Sequence, residues 1–369
     1  MAAVRLEQVA AVGVTATATQ TQRYARLSAH ELVTMRFNID ASAAIVVCLC
    51  MAAAYVGVLY TLPSNIRRLP RDHPTHILAR FLLICIFCAL CPFVLAMFYE
   101  FDDNAISFAE WLGIRSEGLL AAVVVPLAVT AVLFTGSLLA NGLRLLNVSR
   151  QFHHDGLWFA IKNSSLFYSV THEKLPSLRN YILGPLTEEF VFRSCMVPLL
   201  ICAQFTAKQI ILGSPLTFGV GMKSLKCHFI PHLHHFVEHL KSGRSVKDAL
   251  LIVASVPRQF LPLTESSTAG FQLMYTSLFG AYATFLYLRT GHFISIFLVH
   301  VFCNIMGFPD LSFFSPDSSL HSFRILILGS YLVGIYFFSR LLMPLTEPEI
   351  YESDLWNMTI TTTDRELMF

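Results

Sequence analysis

Charged side chains are scarce in this sequence of 369 residues. Lys, Arg, Asp and Glu make up 14% of it, whereas a soluble domain typically carries about 25%. The net charge is only +2, and no polybasic tail is present that would bind nucleic acid or anionic lipid. These shortages argue against an ordinary soluble domain and against a nucleic-acid partner.

Hydrophobic residues instead make up 55% of the chain, and many lie in runs near the length of about 20 residues that spans a bilayer. Clear candidates are 41–62, 78–99 and 118–140, followed by 181–205, 270–289, 292–308 and 323–344. Two shorter stretches, 208–222 and 248–263, would be short spans or re-entrant pieces. Because lipid offers the backbone no hydrogen-bond partner, we predict an all-α, polytopic membrane helix bundle with about eight transmembrane helices.

The two ends of the chain are polar, and no internal repeat is evident. We expect residues 1–40 to form a polar tail without the apolar core of a signal peptide, residues 41–345 to form one membrane-embedded domain, and residues 346–369 to form a second polar tail. Three arginines in 67–71 follow the first span. The positive-inside rule would place that loop in the cytosol.

Common metal-site motifs are missing. The sequence has no H-E-x-x-H, and the C-x-x-C-x-x-C pattern at 85–91 lacks a fourth cysteine and lies among apolar residues, so we interpret these cysteines as small hydrophobes. The segment CHFIPHLHHFVEHL, 227–240, has four histidines at helical spacing: His228, His232, His235 and His239. Its histidines would bind zinc, supply one base that activates water, or be ordinary surface residues at the membrane interface.

The segment GPLTEEFVFRS, 184–194, places three charges inside an apolar region. On a helix, Glu189 and Arg193 are four residues apart on one face, with the acid first, which is the favourable order for an ion pair. Glu188 points about 100° away and has no such partner. A charge at the centre of a membrane helix costs about 2.5–3.5 kcal/mol. Glu188 is therefore expected to make a polar contact with another helix or to act as a proton carrier, ion ligand or catalytic base.

The apolar segment 291–309 carries His300 and Asn304, which share one face of a helix because they are four residues apart. Both side chains can donate hydrogen bonds. Two donors aimed at one point would form an oxyanion hole, and the alternative is a hydrogen bond that joins two helices.

Together, EEFVFR at 188–193 and HVFCN at 300–304 fit an E-E-x-x-x-R motif followed by H-x-x-x-N. The chain resembles the type II CAAX prenyl endopeptidases, the Ras-converting enzymes of the CPBP group of glutamate proteases. The similarity covers roughly 45–351 and includes LPRDHP (69–74), PLTEEFVFRSCMVP (185–198), FGAYATFLYLRTGH (279–292), CNIMGFP (303–309) and MPLTEPEIY (343–351).

The resemblance implies an enzyme that removes the last three residues of farnesylated or geranylgeranylated CAAX proteins, such as Ras-like small GTPases. It implies a multi-pass protein of the endoplasmic reticulum membrane, with an active site open to the cytosol and to lipid. No metal or other cofactor is implied. Carried over to this chain, Glu188 and His232 activate water, and His300 and Asn304 stabilise the oxyanion. Glu189 and Arg193 support the site, and the oligomeric state is left open.

The family's F-x-x-x-H motif is interrupted in this chain by an insert near 221–231, between Phe218 and His232. His232 takes the place of the catalytic histidine when the motif is matched from its C-terminal side, and His228 competes if the insert is helical. We interpret the insert as a splice or gene-model variation, which sequencing the transcript across this region would test. The alternatives are a catalytically impaired isoform or non-catalytic relative that binds prenylated tails, a zinc membrane protease and a transporter.

Overall fold

The computed structural model describes residues 39–99, 107–151, 156–162, 164–224 and 263–359, and every regular element in these ranges is helical. The first long helix, α1, covers Ala41–Gly57. It begins where the Asp40 side chain accepts a hydrogen bond from the backbone N–H of Ala43, which satisfies one of the free donors of the first turn. The second, α2, covers Pro74–Ala96 and begins with proline, a residue well suited to a first turn.

The next pair, α3 (Leu119–Leu133) and α4 (Thr135–Gln151), is bent by 77° at the break between them. The sequence predicted a span over 118–140, and the structure divides this stretch between two helices that form either a broken span or a re-entrant loop. The aromatic ring of Tyr331 packs so closely on Gly136 that a Cβ atom would collide with it. The ring of Tyr331 therefore lies directly against the backbone at the start of α4.

The centre of the molecule is one continuous helical path with two wide, π-helical turns. It runs through Lys174–Leu178, the π turn Arg179–Leu183, α5 (Gly184–Glu189), the π turn Phe190–Cys195 and α6 (Met196–Cys202). The helical path begins at Lys174, before Pro185. Proline lacks the N–H that would continue an α-helical ladder, and the π turn before it accommodates that loss. Such turns are frequent at functional sites.

The remaining long helices are α7 (Ala207–Ser224), α8 (Leu263–Thr290), α9 (Phe293–Met306) and α10 (Arg324–Leu345). Short helices and 3₁₀ turns complete the described chain: Val58–Thr61, Ser64–Arg67, Phe108–Trp111, Gly156–Lys162, Ser165–His172, Ser312–Phe314, His321–Phe323, Pro348–Tyr351 and Leu355–Met358.

The path from α5 to α6 lies innermost, and Val191, Val197 and Leu199 on it are fully buried. Helices α1, α2, α8 and α9 pack around it. Large apolar side chains on the outer faces remain exposed, including Leu82 and Phe93 of α2, as expected for helices that contact lipid. The structure thus has the predicted all-helical architecture of a membrane bundle.

Among the described residues, fewer helices are long and apolar enough to cross a membrane than the number of about eight spans predicted from the sequence. In the described ranges, three helices are long and apolar enough to cross a membrane, Ala41–Thr61, Pro74–Ala96 and His321–Leu345, and a fourth is added if the bent pair α3–α4 is one span. Helix α9 is apolar but has only 14 residues. The count of about eight and the domain limits therefore stay predictions.

Candidate active site

The three charged residues of 188–193 and the pair His300 and Asn304 come together where α5 contacts α9. Glu188 and Glu189 are the last two residues of α5, and Arg193 lies in the π turn that follows. His300 and Asn304 lie one turn apart on α9. The fold therefore assembles five of the six residues singled out by the sequence.

Glu189 is fully buried and is the centre of this cluster. One of its carboxylate oxygens lies 3.1 Å from Nη1 of Arg193, so the ion pair expected from the spacing is present. The other oxygen lies 2.6 Å from Nδ1 of His300. Glu189 thus joins the two helices by neutralising a buried guanidinium and holding an imidazole.

Helix α8 completes the environment of this ion pair. Nη2 of Arg193 donates to the carbonyl of Gly280 at 3.1 Å, and a Cβ atom on Gly280 would lie 3.0 Å from the same nitrogen. Glycine therefore allows the backbone of α8 to approach the guanidinium. The neighbouring Phe279 ring lies 4.6 Å from the imidazole of His300 and limits its rotation.

The contact with Glu189 decides how His300 can act. A carboxylate only accepts hydrogen bonds, so Nδ1 of His300 must carry the proton that is shared with Glu189. Nε2 faces the other way, 4.0 Å from a carboxylate oxygen of Glu188, which is beyond hydrogen-bond distance. With Nδ1 protonated, Nε2 accepts a proton when the ring is neutral and donates one when the ring is an imidazolium.

Glu188 differs from Glu189 as the sequence predicted, because it has no cationic side chain within direct hydrogen-bond distance in the described part of the chain. Its side chain is 33% exposed and lies on the wall of a cavity of about 950 Å³. A carboxylate that is accessible to water and faces an imidazole is suited to accept a proton from a water molecule.

Asn304 lies on the wall of the same cavity and is exposed to it. Its amide nitrogen donates to the backbone carbonyl of Asn180 at 2.9 Å. A side-chain amide has two N–H donors, so the second remains able to bind an oxygen atom in the cavity. The contact with Asn180 fixes the amide close to the π turn that precedes α5.

A chain of hydrogen bonds ties α1 to the residue before Glu188. The hydroxyl of Thr187 donates to the carbonyl of Leu183 at 2.7 Å, so it accepts from the hydroxyl of Tyr55 at 3.0 Å. Both side chains are buried. This contact holds the end of α5 in place from the side of α1.

The cavity lies between α1, α2 and the path from Arg179 to Glu188. Its size falls in the range of about 300–1,000 Å³ found for ligand pockets. Apolar and polar side chains share the lining, which consists of Tyr55, Val56, Leu59, Tyr60, Arg67, Arg71, His76, Arg80, Phe81, Ile84, Cys85, Arg179, Asn180, Tyr181, Leu183, Gly184, Pro185, Thr187, Glu188 and Asn304.

His232, the sixth predicted site residue, lies outside the described residues, as do the alternative His228 and most of the insert. In the described ranges, no group of three or more His, Cys, Asp or Glu side chains is arranged to hold a metal ion. The histidine-rich segment 227–240 is not among those ranges, so the zinc alternative remains a hypothesis that concerns that segment alone.

The sequence analysis missed two features of the site. The contact between Glu189 and His300 joins residues 111 positions apart, and no local pattern indicates it. Arg80 is the second feature, and the sequence does indicate it, because it places this charge inside the apolar run 78–99.

Comparisons with known proteins agree on one family. The sequence model of the family described as "Type II CAAX prenyl endopeptidase Rce1-like" matches residues 171–306, which include every candidate residue of the site. The human protein named "CAAX prenyl protease 2" is 35% identical over 309 residues, or 83% of this chain and 82% of the human protein. The protein of the same name from Arabidopsis thaliana is 34% identical over 329 residues, or 85% and 93%. No solved structure is significantly similar to the chain.

Proposed function

Because the chain belongs to the family of type II CAAX prenyl endopeptidases and is therefore a peptidase, we propose that it removes the last three residues of prenylated CAAX proteins with water activated at Glu188. The observation that carries this proposal is the position of Glu188, which is one-third exposed on a ligand-sized cavity and faces Nε2 of His300. The substrates would be farnesylated or geranylgeranylated proteins such as Ras-like small GTPases.

Glu188, together with His232, would take a proton from a water molecule while the water oxygen attacks the carbonyl carbon of the prenylated cysteine. Support for His232 comes from the sequence resemblance. The new C–O bond yields a tetrahedral intermediate with a negatively charged oxygen. Collapse of that intermediate breaks the C–N bond, and the proton held by Glu188 passes to the leaving amine of the tripeptide.

His300 and Asn304 would stabilise the oxyanion. Asn304 has one N–H left after its bond to Asn180. His300 would donate from Nε2 as an imidazolium, whose charge is balanced by Glu189 at Nδ1. In this proposal Glu189 and Arg193 do not touch the substrate, and they act by orienting His300. Donors that are fixed before the reaction are worth most in a site that excludes bulk water.

The position of the cavity suits a lipid-modified substrate. Its wall includes α2, whose opposite face exposes large apolar side chains, so a prenyl chain in the lipid would lie close to the reacting cysteine. Arg67 and Arg71 line the cavity, and the positive-inside rule assigns their loop to the cytosol. We therefore propose that the protein resides in the endoplasmic reticulum membrane and that its active site opens to the cytosol.

The alternative function is that of a catalytically impaired isoform or non-catalytic relative that binds prenylated tails without cutting them. The insert near 221–231 favours this alternative, because a displacement of about 1 Å at a catalytic group can cost about 100-fold in rate. A zinc protease that uses the histidines of 227–240 is the third candidate.

The decisive experiment measures release of the tripeptide from a farnesylated C-a-a-X peptide by the membrane-embedded protein. Glu188→Gln should lower kcat by about 10²–10⁴-fold, the usual contribution of general acid–base catalysis. Glu117→Gln makes the same chemical change at an exposed site away from the cavity and should leave the rate unchanged. Full activity of Glu188→Gln would refute the assigned role of Glu188.

The same assay separates the alternatives. A version that lacks 221–231 should be at least as active as the full chain. Peptide binding without cleavage by the full chain, together with cleavage by the shortened one, would identify an impaired isoform. A strong zinc chelator should not change the rate, and inhibition that added zinc reverses would favour the zinc protease.

A further inference from the structure

The lining of the cavity is strongly cationic. Among the described residues that line it are four arginines, Arg67, Arg71, Arg80 and Arg179, and one acidic residue, Glu188. Guanidinium groups placed close together repel each other, so such a group is stabilised when an anion binds between them.

Two of these arginines already have partners. Arg179 pairs with Asp72 at 2.9 Å and also donates to the carbonyl of Arg71 at 3.1 Å. Arg67 donates to the carbonyl of Tyr60 at 2.8 Å. Arg80 has neither kind of partner in the described ranges, because no acidic side chain pairs with it and no carbonyl accepts a hydrogen bond from it.

Arg80 also lies where a charge is costly. It lies almost two turns inside α2, a helix long and apolar enough to cross the membrane, and is only partly exposed. The guanidinium groups near enough to act on it belong to Arg71 and Arg179. A charge in such a helix normally faces a cavity, pairs with an opposite charge and marks a substrate or ion path. Arg80 faces the cavity, and an anionic ligand would supply the pairing.

The distance along α2 indicates which anion would fit. Cys88 lies two turns below Arg80, and its sulfur is 4.0 Å from the carbonyl of Thr187, the residue next to Glu188. At 1.5 Å per residue, Arg80 is therefore about 12 Å along the helix axis from the level of the Thr187 carbonyl, one residue before Glu188. Three extended residues, measured from the scissile carbonyl to the end of a peptide, span about 10–11 Å. The side chains on the same wall between the two levels include Phe81 and Ile84, which are apolar.

We propose that Arg80 binds the C-terminal carboxylate of the substrate peptide, so that the distance from Arg80 to Glu188 selects the bond three residues from the end. This inference rests on the proposed function and adds to it the group that measures the length of the cut. Phe81 and Ile84 then face the two aliphatic side chains of the C-a-a-X sequence. Arg71 lies near the same point and adds positive charge at the mouth of the cavity.

The test compares a farnesylated C-a-a-X peptide that ends in a free carboxylate with the same peptide that ends in a carboxamide. The wild-type protein should prefer the free acid by about 10- to 100-fold in kcat/KM, the usual effect of a hydrogen bond to a charged group. In Arg80→Gln this preference should fall to nearly 1, because the rate on the acid drops while the rate on the amide does not change. Arg80→Lys should keep part of the preference, since it retains a charge without the planar guanidinium.

The ratio of the two rates is measured within one preparation, so it does not depend on how much of a variant has folded. Arg340→Gln is the matched control, because Arg340 is exposed on α10 and does not line the cavity, and it should keep the wild-type ratio. The assay is run in phosphatidylcholine vesicles with and without phosphatidylglycerol. If Arg80→Gln changes the rate only with the anionic lipid and leaves the acid-to-amide ratio intact, Arg80 binds a lipid headgroup and the inference is wrong.

Failure of this inference can be told apart from failure of the proposed function. If the wild-type protein cuts both peptides at equal rates, the carboxylate is not read, although the endopeptidase activity stands. If it cuts neither peptide, the proposed function is lost and this inference with it.

Discussion

Glu189→Gln tests whether the buried carboxylate acts through His300. The substitution keeps the shape of the side chain and removes its negative charge. Glu189 is fully buried and contacts both Arg193 and Nδ1 of His300, so the change affects two cationic or proton-donating groups at once.

The structure allows the size of both effects to be worked out. Removing one partner of a buried ion pair costs about 3–5 kcal/mol of stability. We expect a loss of about 3 kcal/mol, because the glutamine oxygen and the carbonyl of Gly280 still accept hydrogen bonds from Arg193. For catalysis, replacing a charged acceptor by a neutral one weakens the bond to His300 by about 1–1.5 kcal/mol, or about 10-fold in kcat. The upper limit is the loss of an oxyanion donor, about 10²–10³-fold.

The assay is a double-mutant cycle on cleavage of the farnesylated peptide, with rates corrected for the amount of folded protein. Glu189→Gln alone should lower kcat by at least about 10-fold, with little change in KM. In the background of His300→Ala, the same substitution should have less than about a 2-fold further effect, because residues that act as a unit are not additive. Glu117→Gln serves as the exposed control. Equal effects of Glu189→Gln in the two backgrounds would refute the reasoning.

Two further predictions concern other parts of the structure. Asn304→Ala should lower kcat by about 10²–10³-fold. Asn180→Ala should not lower it, because Asn304 donates to the backbone carbonyl of Asn180, which the substitution keeps. Equal losses in the two variants would argue against an oxyanion role for Asn304. Away from the membrane helices, partial burial alone would raise the pKa of Asp310, but the hydrogen bonds from Ser312 and Arg144 outweigh it and lower that pKa. A lowered carboxyl pKa stabilises the fold above its ordinary value of 3.8, and this stability is lost as the pH falls through the folded-state value. Asp310→Asn should therefore lower the midpoint of thermal unfolding at pH 7, with a free-energy effect of no more than about 1 kcal/mol because the pair is partly exposed. This effect should shrink as the pH falls below 3.8, and an effect that stays the same down to low pH would contradict the reasoning.

Features set by neighbouring positions in the chain could be predicted. The apolar runs at 41–62, 78–99 and 323–344 correspond to α1, α2 and α10, because lipid allows a long apolar segment little choice except a helix. The ion pair between Glu189 and Arg193 followed from their spacing of four residues, since helical geometry alone brings such side chains together.

Features that depend on how one helix packs on another could not be predicted. The bend between α3 and α4, close to the contact of the Tyr331 ring with Gly136, is one of them. Length and composition count fewer spans in the described ranges than the predicted number, because α9, for example, is apolar yet has only 14 residues.

The sequence by itself determined the family, the helical class and the identity of the charged residues, because motifs and hydrophobic periodicity are local properties of the chain. Only the tertiary structure decided what those residues do to each other. It brought His300 within 2.6 Å of Glu189 across 111 positions and placed Arg80 on the same cavity as Glu188. These contacts result from the packing of α2, α5 and α9, and no spacing along the chain specifies the distance between helices that are far apart in sequence.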